Sequence, residues 1–325
     1  MKTIRIKYTD WWDGFDSDQY IYNKILSKHY NIVESDDPEY VFCSLYAHDC
    51  LKYDGIRIFT TGDNFVPDFN IYDYAIGFNP IIYEDRYLQA PNWIMNPRYE
   101  NDVERMLHKH ENVTEEDYYN RDFCAWVCSN PKGVSLRRDT FEKLSQYKGV
   151  ASGGRWLNNI GVPDGVSDKI EFQSRYRFSL AIQDSENDGY TDEKLVQCFA
   201  SRNIPVFWGD KTVDRLFNSD AMVDFYNFDG LDEVAREIER IDNDKDEYLK
   251  RLKVPAMRNP RYVEEKYDNL ERFLLGIIEQ PYSEARRRTK SVWATYYRDI
   301  LVNHEENTYS CRRESPLKRI LSIKP

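Results

Sequence analysis

The residues best suited to chemistry lie between Arg177 and Asp210, in the run RFSLAIQDSENDGYTDEKLVQCFASRNIPVFWGD. Thr191 and Asp192 are both helix N-cap residue types, and Glu193 and Lys194 fall in the first turn of the helix that follows. Unpaired backbone N–H groups and the positive end of the helix dipole favour a bound anion there. Lys194 adds a full positive charge, which suits a diphosphate, whereas Glu193 repels phosphate and suits sugar hydroxyls. The pair could therefore read opposite ends of a nucleotide sugar. Position alone also describes an ordinary solvated first turn, which is the commoner use of Glu and Lys at such places.

Such a loop needs strands to hold it. Phe178–Ile182 and Ile204–Phe207 read as strands on either side of a helix from about Asp192 to Ser201, a βαβ-like unit whose ligands bind where the strands end. Upstream, Phe123–Val127 is a strand, and Arg137–Tyr147 brings Phe141, Leu144 and Tyr147 toward one helical face. Downstream, Leu231, Val234, Ala235, Ile238 and Ile241 mark one helix, while Tyr267, Leu270, Leu274, Ile277 and Ile278 mark another that ends before Pro281. The N-terminal part repeats the alternation, with strands Thr3–Tyr8, Tyr40–Leu45, Ile56–Thr60 and Tyr74–Phe78. Residues 101–121 are highly charged and read as an exposed connection, so the expected domains are 1–121, 122–280 and a C-terminal helical tail, 281–325.

A chain of 325 residues, 41% apolar and 15% aromatic, is long enough for two packed lobes. Its net charge of -11 speaks against nucleic-acid binding while leaving a single nucleotide ligand open. MKTIRIKY alternates as a strand does and lacks the apolar core of a signal peptide, so the expected location is the cytosol. From Ser283 onward ten Lys/Arg face five Asp/Glu, with Val292, Trp293, Tyr296, Tyr297, Ile300 and Leu301 among them. This segment either rests peripherally on anionic lipid at the inner face of the membrane or packs across the domains with its arginines outward.

Other signals are weaker. Cys43, Cys50, Cys124, Cys128, Cys198 and Cys311 sit in or beside apolar stretches and read as buried thiols. Asp16-Ser17-Asp18 and Asp242-Asn243-Asp244 resemble a metal-binding DxD but read as solvated turns, and His108 and His110 complete no zinc pattern. Neither a GK[ST] phosphate loop nor a GxGxxG after a first strand occurs. Asn112-Val113-Thr114 matters as a glycosylation sequon only in an exported chain.

Gly189-Tyr190-Thr191-Asp192-Glu193-Lys194-Leu195, followed after eight residues by Ile204-Pro205-Val206-Phe207-Trp208-Gly209, resembles the paired motifs of the α-1,3/4-fucosyltransferases, glycosyltransferase family 10, especially bacterial members. Asp192 stands where the family has threonine, and either residue can cap a helix. Phe123-Cys124, Ser129-Asn130, Arg137, Phe141, Leu144, Ser152-Gly153-Gly154-Arg155 and Asn158-Asn159-Ile160-Gly161 are similar too. So, nearer the N-terminus, are Trp11-Trp12, Phe69-Asn70, Asp73 to Phe78 and Asp85 to Leu88.

The resemblance implies an α/β protein of GT-B fold, two Rossmann-like domains facing each other across a cleft, the C-terminal one holding GDP-fucose and the N-terminal one a glycan acceptor. It implies inverting transfer of L-fucose, α-1,3 to the GlcNAc of an N-acetyllactosamine-like acceptor, with no required metal and at most a divalent cation aiding GDP release. Arg137 matches the arginine that contacts the diphosphate, with Arg138 the alternative one step along, and Lys194 shares that task. Tyr190 and Glu193 resemble the family residues that line the donor pocket, where the glutamate is expected to bind fucose or steady its oxocarbenium charge. Asn130, Gly154 and Asp184, the last at the mouth of the donor site, are also expected among the substrate-binding positions. Asp63, in Thr61-Gly62-Asp63-Asn64, stands where the family places a catalytic glutamate and is the expected base, one methylene shorter. At Ile182-Gln183-Asp184-Ser185 the family has Phe-Glu-Asn-Ser, a swap that leaves a different nucleotide-sugar donor open; the shortened Asp63 leaves an inactive sugar-nucleotide binder open.

Overall fold

The structure is a computed structural model that describes residues 1–313, with side chains described as far as Asn303. It divides into two units: Met1–Gly77 with Ile81–Leu88 and the chain from Asn269, and Phe78–Pro80 with Gln89–Asp268.

The first unit is built on β1 (Lys2–Thr9), β2 (Tyr30–Glu34), β3 (Tyr40–Cys43), β4 (Ile56–Thr60), β5 (Tyr74–Gly77) and β6 (Tyr87–Gln89), in the order β2-β1-β3-β4-β5-β6. The pairs β1/β2, β1/β3, β3/β4 and β4/β5 are parallel, with Phe42 opposite Ile58 and Ile58 opposite Tyr74. Every residue of β3, β4 and β5 is buried, which is why β3 and β5 read as continuous apolar runs, while β4 also buries Arg57 and Thr60. The edge strand β2, YNIVE, keeps a wet face and carried no such signal.

The second unit is built on β7 (Asp122–Trp126), β8 (Val150–Ser152), β9 (Tyr176–Ile182), β10 (Ile204–Trp208) and β11 (Val223–Asp224), in the order β11-β10-β9-β7-β8. All four neighbouring pairs are parallel. Successive strand residues point to opposite faces, so β9 and β10 feed two cores. Leu180, Ile182, Ile204 and Val206 meet Leu144 of the helix Leu136–Tyr147 and Val234, Ile238 and Ile241 of the helix Leu231–Asp242. Ala181 and Phe207 instead meet Leu195, Val196 and Phe199 of the helix Glu193–Ala200.

In both sheets the first strand lies between the second and third, so strand order reverses beside β1 in one unit and beside β7 in the other. Loops leaving the carboxyl ends of strands at such a reversal diverge and open a crevice for ligands.

Three expectations need correction. The unit boundary falls near Gly77 to Gln89 rather than at residue 121, because 101–121 is not simply an exposed connection. The helix Glu100–Leu107 buries Val103 and Met106 against the Phe199 side of the second sheet, a contribution of about 1.5–3 kcal/mol for each side chain. The chain from Asn269 groups with the first unit, where a separate C-terminal segment was expected only from residue 281, and Arg288, 5% exposed, is bonded to Asp73. Finally, Asp242-Asn243-Asp244 is no solvated turn. Asp242 is buried and receives Arg177, Lys148 and Tyr147, while Asp244 caps the helix Lys245–Leu252.

Asp18 N–H donates to Asp16 Oδ1 at 3.0 Å, the local turn expected of that pair. Cys43, Cys50, Cys124, Cys128 and Cys198 are buried free thiols, and Cys311 lies outside the residues whose side chains are described. Among the described residues no helix is long and apolar enough to cross a membrane.

Candidate active site

In the second unit the reversal lies between β8/β7 and β9, and the loops after β7 and β9 carry the expected donor residues. After β7, Cys128 is buried and its thiol donates to Asn130 O at 3.3 Å. Asn130 itself faces solvent, and its Oδ1 accepts from Lys132 N at 3.0 Å, so it holds the turn that leads into the helix Leu136–Tyr147.

Arg137, on the first turn of that helix, is 2% exposed. Its Nη1 donates to Lys132 O and its Nη2 to Cys128 Sγ, while its Nε–H has no partner. The guanidinium lies 5.5 Å from the Trp156 ring centroid. No carboxylate pairs with it among the described residues. Arg138 is exposed, 5.8 Å from the same ring, so the structure separates the two neighbours into one inward and one outward arginine. Burial pushes the Cys128 thiol up, while the charges of Arg137 and Lys194 act in the opposite sense; of the two, Arg137 is the one hydrogen-bonded to the sulfur.

After β9 the loop is tied down from several directions. Gln183 is buried; its Nε2 donates to Asp192 Oδ1 at 2.8 Å and its N–H to Trp208 O at 2.9 Å. Asp192, rather than Thr191, is the N-cap: the same Oδ1 accepts from Lys194 N at 2.8 Å. Thr191 Oγ1 instead accepts from Trp93 Nε1 at 3.4 Å. The Gln183 amide nitrogen therefore supports the helix cap, while its Oε1 is buried without a hydrogen-bond partner among the described residues.

Lys194 folds back onto this cap, its Nζ pairing with Asp192 Oδ2. Burial acts to lower its pKa, but Asp192 and Glu193 outweigh that, so the ammonium is held above its ordinary range and stays charged. It is thus already partnered, with its side chain 26% exposed. Glu193 is half-buried and makes no hydrogen bond or ion pair among the described residues.

Asp184 joins the two loops through its backbone, O accepting from Val134 N at 3.0 Å, while its Oδ1 accepts from Ser185 Oγ at 2.9 Å. Tyr190 is buried with its ring 4.9 Å from that of Phe78. Gly189 has φ of 79° and donates its N–H to Asp210 Oδ1 at 2.8 Å. Gly154 has a packing explanation, since a Cβ there would lie 1.9 Å from Cys128 O; the glycine lets two backbones cross, and its side of the site needs no ligand to account for it.

In the first unit, the carboxyl ends of β1, β3 and β4 carry a polar and aromatic group. Asp63 is exposed just beyond β4, with its N–H donating to Thr61 Oγ1 at 3.0 Å. Tyr46, three residues beyond β3, donates its hydroxyl to Asp63 Oδ2 at 2.6 Å. Burial and then Asp63 hold the Tyr46 phenol well above its ordinary range, so it remains a donor. Trp12 lies 6.3 Å from Tyr46, and Trp11 and Phe15 stack at 4.0 Å. Tyr46 was not singled out in the sequence: only the pairing of β3 with β4 brings it to Asp63.

A buried cation, a second cation on a helix cap and an unengaged carboxylate at a strand-order reversal suit an anionic leaving group attached to a polar ring. Two doubly wound parallel sheets in one chain, with this site on the second, define a GT-B-like α/β protein, and solved structures agree. An α-1,3-fucosyltransferase crystallised with GDP-fucose superposes with a TM-score of 0.69 at 23% identity, over 86% of this chain and 92% of that one. The form with GDP gives 0.69 at 24% identity, over the same shares.

The chain belongs to glycosyltransferase family 10: the fucosyltransferase C-terminal model of that family matches residues 119–265, and the α-(1,3)-fucosyltransferase N-terminal domain model matches 6–96. It is 29% identical over 286 residues to the α-(1,3)-fucosyltransferase FucT of Helicobacter pylori, covering 77% of this chain and 59% of that protein's length. A human 3-galactosyl-N-acetylglucosaminide 4-α-L-fucosyltransferase is 28% identical over 143 residues, 43% of this chain and 38% of its own.

Proposed function

We propose that this chain is an inverting glycosyltransferase that moves L-fucose from GDP-fucose to a glycan hydroxyl, α-1,3 to the GlcNAc of an N-acetyllactosamine-like acceptor. Arg137 is the observation that carries this reading: a buried guanidinium with no carboxylate partner among the described residues and an unused Nε–H, bonded instead to a thiol and a backbone carbonyl. A fold keeps an unmatched buried charge at a cost in stability, and an anionic ligand supplies the match.

As the bond from fucose C1 to the β-phosphate oxygen breaks, negative charge gathers on GDP. Arg137 and Lys194 stabilise that charge more in the transition state than in the ground state. Glu193 faces the sugar, hydrogen-bonding its hydroxyls or steadying the positive charge that develops at C1, and Tyr190 closes the pocket. Asp63 accepts the proton of the acceptor hydroxyl as its oxygen attacks C1 from the opposite face, so the anomeric centre inverts. Tyr46 aims the carboxylate. With two fixed cations on the leaving group the reaction is read as needing no metal cofactor. We place the protein in the cytoplasm, with exposed Val292, Trp293, Tyr296 and Ile300 in peripheral contact with the inner membrane face.

A thermal-shift series with GDP-fucose and with UDP- and CDP-sugars tests the donor. GDP-fucose is expected to raise the melting temperature in proportion to RT ln(1 + [L]/Kd), and stabilisation by another nucleotide sugar alone would overturn this assignment.

A further inference from the structure

The first unit carries a half-open cavity of about 400 Å³ between the segment after β3, the start of β4 and the chain beyond Arg286. Its walls carry Lys52, Arg57, Arg286, Arg288, Lys290 and Arg298 against a single lining carboxylate, Asp54. Some of that charge is matched. Lys52 pairs with Asp49, Arg298 with Asp299 at 2.9 Å, Arg286 with Asp54 at 2.7 Å, and Arg288 with Asp54 at 3.3 Å and with Asp73 behind it. Arg57 and Lys290 have no carboxylate within ion-pair distance among the described residues.

Arg57 is the most telling of these. It is 4% exposed and lies on a central strand. Its Nη1 donates to Ile71 O at 3.3 Å, and its Nη2 to Leu51 O at 3.2 Å and Tyr53 O at 2.9 Å, which fixes the guanidinium without neutralising it. Its Nε–H has no partner, and neither has that of Arg286. Burial, and then the nearby charge of Arg288, work against the Arg57 cation. Gathering like charges around a recess destabilises the free protein, and a polyanion would relieve it. The volume falls in the range of small-ligand pockets, and arginine forks match the oxygens of phosphate.

We propose that this cavity binds a phosphate-bearing group, a phosphomonoester or a diphosphate, at a site on the first unit made of residues other than those that hold the donor on the second. The group belongs either to a soluble phosphate ester or to a lipid headgroup.

The test uses the full chain with GDP at saturation, so that the donor site is filled, and inorganic pyrophosphate as the calorimetric probe. Wild type is expected to bind pyrophosphate with one site, and Lys52→Ala/Lys290→Ala, both exposed positions, to bind at least ~10-fold more weakly with GDP affinity unchanged. Arg137→Met should leave pyrophosphate binding intact, which separates failure of this proposal from failure of the donor assignment. Co-sedimentation with vesicles of phosphatidylcholine, with and without phosphatidic acid, identifies the source. Loss of the phosphatidic-acid-dependent binding in the double variant supports a headgroup, whereas unchanged vesicle binding beside lost pyrophosphate binding supports a soluble ester. Equal pyrophosphate affinity in wild type and double variant, or none in either, overturns the proposal.

Discussion

Arg137→Met separates a functional cation from a structural one, because the two roles predict different changes in stability and in GDP affinity. The guanidinium is 2% exposed, bonded to Lys132 O and Cys128 Sγ, and set over Trp156 at 5.5 Å, with an Nε–H that bonds nothing. Methionine removes the contact with the ring, about 0.5–2 kcal/mol, and a hydrogen bond to a carbonyl, about 1 kcal/mol. It also removes a buried unmatched charge and an orphaned donor, worth about 1–3 kcal/mol in the other direction, and fills most of the same volume. The unliganded variant should therefore match wild type within about 1 kcal/mol in urea unfolding. GDP affinity, measured by calorimetry, should fall by about 1.5–3 kcal/mol, or roughly 10- to 150-fold, the usual loss for a charge-assisted hydrogen bond. A variant destabilised by more than about 3 kcal/mol, as on breaking a buried pair, with unchanged GDP affinity would refute the reasoning and make Arg137 a structural residue.

Lys194→Ala should weaken GDP binding by about 1.5–3 kcal/mol, also by calorimetry; an unchanged affinity would mean that Lys194 serves only the Asp192 cap. Burial raises the Asp224 carboxyl from its ordinary 3.8 to about 6. The native state then binds its proton more tightly than the unfolded one, so this group's contribution to stability falls as pH rises from about 4 to 6, by roughly 3 kcal/mol in all. Asp224→Asn keeps an acceptor for Tyr226 N and removes that fall, so unfolding curves of variant and wild type should diverge above pH 4 with the variant the more stable. Gly154→Ala places a methyl group 1.9 Å from the Cys128 carbonyl and should cost about 1–3 kcal/mol or more in chemical denaturation.

Long apolar strands and amphipathic helices were legible because burial on both faces leaves uninterrupted runs such as Tyr40–Cys43, and one-sided burial leaves three-to-four spacing such as Leu231 to Ile241. The helix Glu100–Leu107 was not, since its buried face consists of Val103 and Met106 amid charged residues, and β2 and β11 are an exposed edge and a two-residue strand. The family resemblance, rather than spacing alone, singled out Arg137, Tyr190, Glu193 and Lys194, and the structure buries Arg137 against the Cys128 thiol while Lys194 pairs with Asp192. What spacing could not convey is which atoms are already engaged. Lys194 is held by Asp192, Gln183 turns inward to the same cap, and Tyr46 reaches Asp63 only because β3 and β4 pair in register.

The most direct test of the account is release of GDP from GDP-fucose by the purified chain, with and without N-acetyllactosamine, in wild type and in Asp63→Asn. Acceptor-dependent release in wild type, lost in the variant while GDP affinity is retained, is the expected result. Acceptor-dependent release that persists undiminished in Asp63→Asn, or tight binding of GDP-fucose with no release on any N-acetyllactosamine acceptor, would contradict it.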